Sequence, residues 1–307
     1  MLGIEEIAYY IPEKRVSNYD RKEKFNITDE FIKERIGVEQ IAIKADNENT
    51  TDLCLSAYDR LKGKVQISPE EIDLLVVVTQ NPDYSLPQTS AILHGKLGLK
   101  GSCASFDISL GCSGFVYGLS IVQSFMAANK MKKGLLFTAD PYSKIIDTDD
   151  KNTSLIFGDG SAVTLISENP IFVTQDISYG TSGKDYKDLI CENSVLYMNG
   201  RGIANFAIKE VPSDILNLLS RNNLTVKDID KYLIHQGSRF IVDSLAKKLD
   251  LEEEKVMYDI YGYGNTVSSS IPILLEKILN DKSAMRVLAS GFGVGLSWAN
   301  VILNRVR

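Results

Sequence analysis

The feature that most constrains this chain is a repeat inside it. Residues 68–82, SPEEIDLLVVVTQNP, follow the same plan as residues 225–238, TVKDIDKYLIHQGS: an acidic approach, an Ile-Asp pair, an apolar strand and a Gln-containing turn. The next segments also correspond. SFDISLGCSGFVYGLSIVQSF (105–125) parallels MYDIYGYGNTVSSSIPILLEKIL (257–279), and GLLFTAD (134–140) parallels RVLASGF (286–292). In this register the turn bearing Cys112 matches the one bearing Asn265, and the Gln80 turn matches the His235 turn. Strands are predicted at 72–78, 134–138, 161–166, 231–234, 286–289 and 298–303, with helical patterns between them. The clearest helix follows Cys112, with Phe115, Leu119, Val122 and Met126 on one face. Alternating strands and helices imply an α/β fold: a parallel or mixed sheet with helices on its faces, built as two like halves whose strand-end turns converge on one cleft.

Composition narrows what such a chain does. It has 307 residues, 44% hydrophobic and 24% charged, enough for a large core in either two domains or one large α/β unit. A net charge of -6 and the lack of a long Lys/Arg run argue against nucleic acid as a partner. The longest purely apolar run, 74–78, is far short of the roughly 20 residues that span a bilayer. Glu5 and Glu6 stand where a secretion signal would be basic and then apolar, so a cytoplasmic location is expected. Four scattered cysteines (Cys54, Cys103, Cys112, Cys191) and two histidines form no metal-ligand spacing, so no metal is expected.

Cys112 lies between Gly111 and Ser113-Gly114, after a strand ending near Ile108 and at the start of the clearest helix. Unpaired amides and the helix dipole at such a position are expected to lower the thiol pKa and make the sulfur nucleophilic near neutral pH. His235 ends a predicted strand, whereas His94 falls in a helical apolar pattern and reads as structural. Asn265 sits in YGYGNTVSSSIP, where Gly262 and Gly264 permit a tight turn. Taken singly, Cys112 also reads as a buried cysteine in a glycine turn, and Asn265 as a turn or capping asparagine.

Together these turns resemble the ketoacyl synthase III family of the thiolase superfamily. The resemblance covers nearly the whole chain, through FDISLGCSGFVYGL, HQGSRFIVDSLAKKL, YGYGNTVSSSIPILL, NTSLIFGDGSAVTLI and ASGFGVGLSW. It implies a thiolase-like fold with two pseudo-symmetric halves, 1–168 and 169–307, in five α-β-α-β-α layers. It implies Cys112, His235 and Asn265 as catalytic residues, with the Cys112 amide and the Gly293-Val294-Gly295 loop holding an oxyanion and Phe292 walling the cleft. Phe31, Arg35, Gln236, Ser238 and Arg239 fall at substrate-binding positions. The implied chemistry is acyl transfer to Cys112, then decarboxylative condensation with a malonyl-type thioester to a 3-ketoacyl thioester, in fatty-acid biosynthesis or a specialised lipid or secondary-metabolite pathway. The implied partners are an acyl carrier protein and an acyl thioester, with no cofactor. A homodimer is implied too, formed across an edge strand near 104–109, with NPDYSLPQTS (81–90) reaching the neighbour's acyl tunnel.

The chain departs from the family pattern at several points. Phe31 replaces a tryptophan that stacks on adenine, Gln40 replaces an arginine, His-Gln-Ala-Asn becomes His235-Gln236-Gly237-Ser238, and the basic residue after that motif is shifted to Arg239. Rival readings are an acyltransferase forming esters or amides without decarboxylation, and an inactive scaffold subunit. A thiolase-type reaction would need a second cysteine as base, and none follows Cys191.

Overall fold

The run at 74–78 is apolar without alternation, which requires cover on both faces of its strand. In the computed structural model, which describes residues 1–307, Leu74–Val78 is buried throughout and has a parallel neighbour on each side. It belongs to a nine-stranded sheet composed of β1 (Gly3–Tyr10), β2 (Leu74–Val78), β3 (Ala104–Ile108), β4 (Lys133–Ala139), β5 (Ser161–Ser167), β6 (Phe172–Thr181), β7 (Lys231–Ile234), β8 (Arg286–Gly293) and β9 (Ser297–Arg305). Their spatial order is β7-β8-β9-β6-β1-β5-β4-β2-β3.

The repeat read from the sequence is visible in the pairing. On one side β2 pairs β4 in parallel, β4 pairs β5 antiparallel and β5 pairs β1 antiparallel. On the other, β7 pairs β8 in parallel, β8 pairs β9 antiparallel and β9 pairs β6 antiparallel. The counterpart of β3 shrinks to a single parallel bridge between Tyr232 and Val256. The two half-sheets meet through one residue pair, Ile4 with Phe172.

Six helices complete the layers: α1 (Thr50–Lys62), α2 (Thr89–Leu97), α3 (Gly114–Ala128), α4 (Gly200–Arg221), α5 (Arg239–Lys248) and α6 (Ser270–Ile278). Phe115, Leu119, Val122 and Met126 of α3 and Ile271, Leu274 and Ile278 of α6 share one buried cluster with Val76 and Leu136 of the first half-sheet and Val287 and Val301 of the second. Each such side chain contributes about 2 kcal/mol of transfer free energy, so this central layer binds the halves together. Alternate residues of the same strands turn outward. Leu75, Val77 and Phe137 pack on α1 and α2, and Leu288 and Ile302 pack with residues of α4 and α5. The result is five layers, α-β-α-β-α, with a mixed sheet. Close contact of α3 with its sheet depends on Gly114, where a Cβ would fall 2.4 Å from Val78 Cγ1.

Two strands of this sheet were not predicted, nor were the short strands Arg15–Ser17, Gln40–Ala42, Leu189–Glu192 and Val195–Met198 outside it. In β1, Glu5 and Glu6 interrupt the apolar pattern at a register shift between Ile4 and Glu6. In β6, the polar run Thr174-Gln175-Asp176 breaks the apolar pattern of a half-buried strand. No helix is long and apolar enough to cross a membrane.

Candidate active site

Cys112 occupies the turn between β3 and α3, which Gly111 closes by accepting the Gly114 N–H at 2.8 Å. Ser113 caps the helix without a side-chain cap bond; its hydroxyl meets that of Ser297 at 2.8 Å instead, tying the turn to the opposite half. The end of β8 passes beside the sulfur, so a Cβ built at Gly293 would lie 2.8 Å from Cys112 Sγ. The backbone amides of Val294 and of Cys112 itself donate toward the sulfur and favour its anion. Burial outweighs them, and the Asp140 carboxylate adds to burial, so the thiol is pushed up to about 12. This corrects the expectation of a thiol activated by the helix dipole: burial and Asp140 favour the protonated sulfur, against the two amides that favour its anion.

His235 follows β7, and its backbone N–H donates to Ser290 O at 2.8 Å. Its ring stands edge-on to Phe292, with centroids 5.5 Å apart and planes at 87°. Burial pushes the imidazole down to about 3, so it is neutral at every physiological pH and offers one N–H donor and one bare nitrogen. Nδ1 has no hydrogen-bond partner in the protein.

Asn265 is fixed by three backbone bonds: its N–H donates to Ile156 O, its carbonyl accepts from Gly158 N, and its Oδ1 accepts from Val267 N at 2.9 Å. With Oδ1 engaged, the amino end of the carboxamide is the free donor. The glycines of FGDG and GYGN make this crossing possible, since a Cβ at Gly158 would sit 1.8 Å from Tyr263 O and Gly264 has φ +84°.

Cys112, His235, Asn265, Phe292 and Gly293 line one cavity of about 540 Å³, and Phe31, Arg35 and Ser238 line it too. Arg35 stacks its guanidinium on Phe240 at 4.5 Å, and the Lys151 ammonium sits 5.1 Å from the Phe31 ring centroid. Ser238 caps α5 by accepting from Ile241 N. Two residues placed at substrate-binding positions by the resemblance point elsewhere. Gln236 is buried, its backbone N–H donating to Ser270 Oγ and its side-chain Oε1 accepting from Asp259 N at 2.6 Å. Arg239 is taken up by Asp243 and the Tyr261 hydroxyl, each at 2.8 Å. Val294 and Gly295 are not wall residues; Val294 contributes its amide, and Gly295 supplies φ +137°. His94 lies on α2 with Nε2 3.1 Å from Lys100 O.

The sequence did not single out the rest of the wall. Arg201, Ile203, Ala204, Asn205 and Ile208 come from one face of α4, joined by Leu189 and Met198 of the hairpin before it. Apolar periodicity marks α4 as amphipathic but does not say which part of its stripe meets a void.

The five layers, the repeated strand order and the thiol, imidazole and carboxamide on one cavity define a thiolase-fold condensing enzyme. Models of the 3-oxoacyl-[acyl-carrier-protein (ACP)] synthase III family match residues 106–183, and those of its C-terminal part match residues 219–305. The chain is 34% identical to the beta-ketoacyl-[acyl-carrier-protein] synthase III of Lactococcus lactis and 34% identical to that of Streptococcus pneumoniae, over 98% of both chains in each case. It superposes on the crystal structure of 3-oxoacyl-[acyl-carrier-protein] synthase III from Aquifex aeolicus with a TM-score of 0.92 at 28% identity, covering 99% of this chain and 100% of that one. The chain belongs to the 3-oxoacyl-[acyl-carrier-protein] synthase III family.

Proposed function

We propose that this enzyme takes an acyl group from a thioester onto Cys112 and condenses it with a malonyl thioester carried by an acyl carrier protein. The observation that carries this reading is the convergence of Cys112, His235 and Asn265 on one cavity, with the Cys112 and Val294 amides directed at the sulfur. In the first half-reaction the sulfur attacks the acyl carbonyl, the two amides hold the oxyanion, and the donor thiol leaves with the proton given up by Cys112.

In the second half-reaction the malonyl C–C bond to the carboxylate breaks, CO2 leaves, and the electron pair becomes an enolate. The imidazole N–H of His235 and the Asn265 amino group donate to the thioester oxygen, where the charge accumulates. The enolate carbon attacks the acyl-cysteine carbonyl, the bond between the acyl carbon and Cys112 Sγ breaks, the 3-ketoacyl thioester departs, and the thiolate left on Cys112 takes a proton from solvent. Buried Phe292, edge-on to His235, keeps water from this face. The reaction as written uses no cofactor.

Halves at 1–168 and 169–307 are supported by the single Ile4–Phe172 pairing between the half-sheets. A homodimer through β3 is supported by the position of that strand at the sheet edge and by the exposure of Tyr84 (61%) and Leu86 (86%) in the 81–90 segment. Intact-protein mass after incubation with acyl thioesters, and then with malonyl-acyl carrier protein, tests the reaction. Acyl mass must appear on Cys112 and vanish on the second addition as the 3-ketoacyl product forms. Acyl uptake by Cys112→Ala would remove the nucleophile assignment.

A further inference from the structure

One buried ionisable group near the sulfur has no part in the chemistry above. Asp140 directly follows β4, is completely buried and has no cationic partner. Such an isolated carboxylate is unfavourable, so its bonds matter. It accepts the Gln80 N–H at 2.7 Å on Oδ1 and the Ser268 hydroxyl at 2.5 Å on Oδ2. Gln80 belongs to the first half and Ser268 to the second, three residues after Asn265.

The 265–270 turn needs holding. Val267, whose N–H fixes Asn265 Oδ1, sits at φ +54°, a region hostile to β-branched residues. Three consecutive serines secure the chain just beyond it. Ser268 binds Asp140, Ser269 donates to Thr138 O at 2.9 Å, and the Ser270 hydroxyl accepts from Gln236 N at 3.0 Å. Only the first of these clips uses a carboxylate, and it is adjacent to the strained residue.

We propose that Asp140, acting through Ser268, is a positioning residue that holds the Val267 amide against Asn265 and so keeps the carboxamide donor aimed at the thioester oxygen. This rests on the reading of Asn265 as a donor in the decarboxylating half-reaction. Asp140 therefore serves the second half-reaction and not the first. Its charge opposes the thiolate of Cys112, so its removal is expected not to slow acylation.

The test separates the two half-reactions in the full-length protein. Acylation of Cys112 by an acyl thioester is timed by intact mass, and CO2 release from malonyl-acyl carrier protein is measured with kcat and KM resolved. Ser268→Ala and Asp140→Asn are expected to lower kcat for decarboxylation about tenfold or more, while Ser268→Ala acylates within about twofold of the parent and Asp140→Asn at least as fast. Equal losses in both half-reactions would mark a merely structural role and overturn the proposal. Unchanged decarboxylation in Ser268→Ala, with loss in Asn265→Ala, would overturn it while leaving the reaction intact. Full decarboxylation in Asn265→Ala would instead overturn the underlying reading. Should Asp140→Asn fail to fold, Ser268→Ala alone decides.

Discussion

Substituting Gly293 by alanine adds one carbon to the wall of the cavity, and its effect follows from the position of that carbon. An unmoved Cβ would sit 2.8 Å from Cys112 Sγ and 3.0 Å from Cys112 Cβ. Ordinary van der Waals separation between carbon atoms is about 3.5–4.0 Å, and sulfur needs at least as much. Either the sulfur or the strand end must therefore yield by about 0.7–1.2 Å. The sulfur is buried among packed residues, and the loop also carries the Val294 amide that points at it, so movement of either spoils the alignment of nucleophile and oxyanion donors. A displacement of about 1 Å is worth roughly a hundredfold in rate. Gly293→Ala is accordingly expected to acylate Cys112 about a hundred times more slowly than the parent, with its far-ultraviolet circular dichroism unchanged. A time course of intact mass with an excess of acyl thioester measures this. Acylation at the parent rate would refute the argument, because it would mean that the sulfur does not react from this position.

The buried thiol gives a second expectation: alkylation of Cys112 by iodoacetamide rises about tenfold per pH unit through pH 10 without a plateau, and Asp140→Asn shifts that profile to lower pH. A plateau near neutral pH would show an activated thiolate in the free enzyme. With only His94 and His235 in the chain, NMR can follow each imidazole, and the His235 ring resonances are expected to stay constant from about pH 5 to 9 because burial keeps the ring neutral. Asp140 also affects stability, since burial raises its carboxyl from 3.8 to about 6. A carboxyl raised on folding costs nothing below its unfolded value of 3.8, opposes the native state increasingly as pH climbs from there to the folded value of about 6, and costs a constant amount above it. The stability of Asp140→Asn relative to the parent should therefore increase by roughly 1 kcal/mol between pH 5 and pH 8. Urea denaturation at the two pH values measures it, and a constant difference would contradict the burial argument.

How much could be read in advance depended on whether the deciding interactions were local. β2 and β7 were legible because a strand covered on both faces is written as uninterrupted apolar residues, and α3 because four apolar side chains recur at helical spacing. β1 was hidden by Glu6, whose half-buried carboxylate sits 3.6 Å from the Lys64 ammonium. The convergence of Cys112, His235 and Asn265 on one turn-lined cavity could be inferred from the repeat, which placed them at equivalent strand ends. The state of the thiol could not. The helix-dipole argument considers only the neighbours of Cys112, whereas Asp140 arrives 28 positions later in sequence and burial is a property of the whole fold. Gln236 and Arg239 show the converse: adjacency to His235 suggested contact with substrate, but one side chain braces the backbone at Asp259 and the other is held by its own helix and Tyr261.

The helical layer shared by the two half-sheets has a consequence for how this protein can be made. A fragment ending after β5 would expose Val76, Leu136 and the far side of α3 to water, and the complementary fragment would expose Val287, Val301 and α6. Each piece would leave one face of its half-sheet uncovered, so the two halves are expected to fold as one cooperative unit and not as separable modules. Cutting the chain between the halves should yield polypeptides that aggregate alone and acquire native structure only when supplied together.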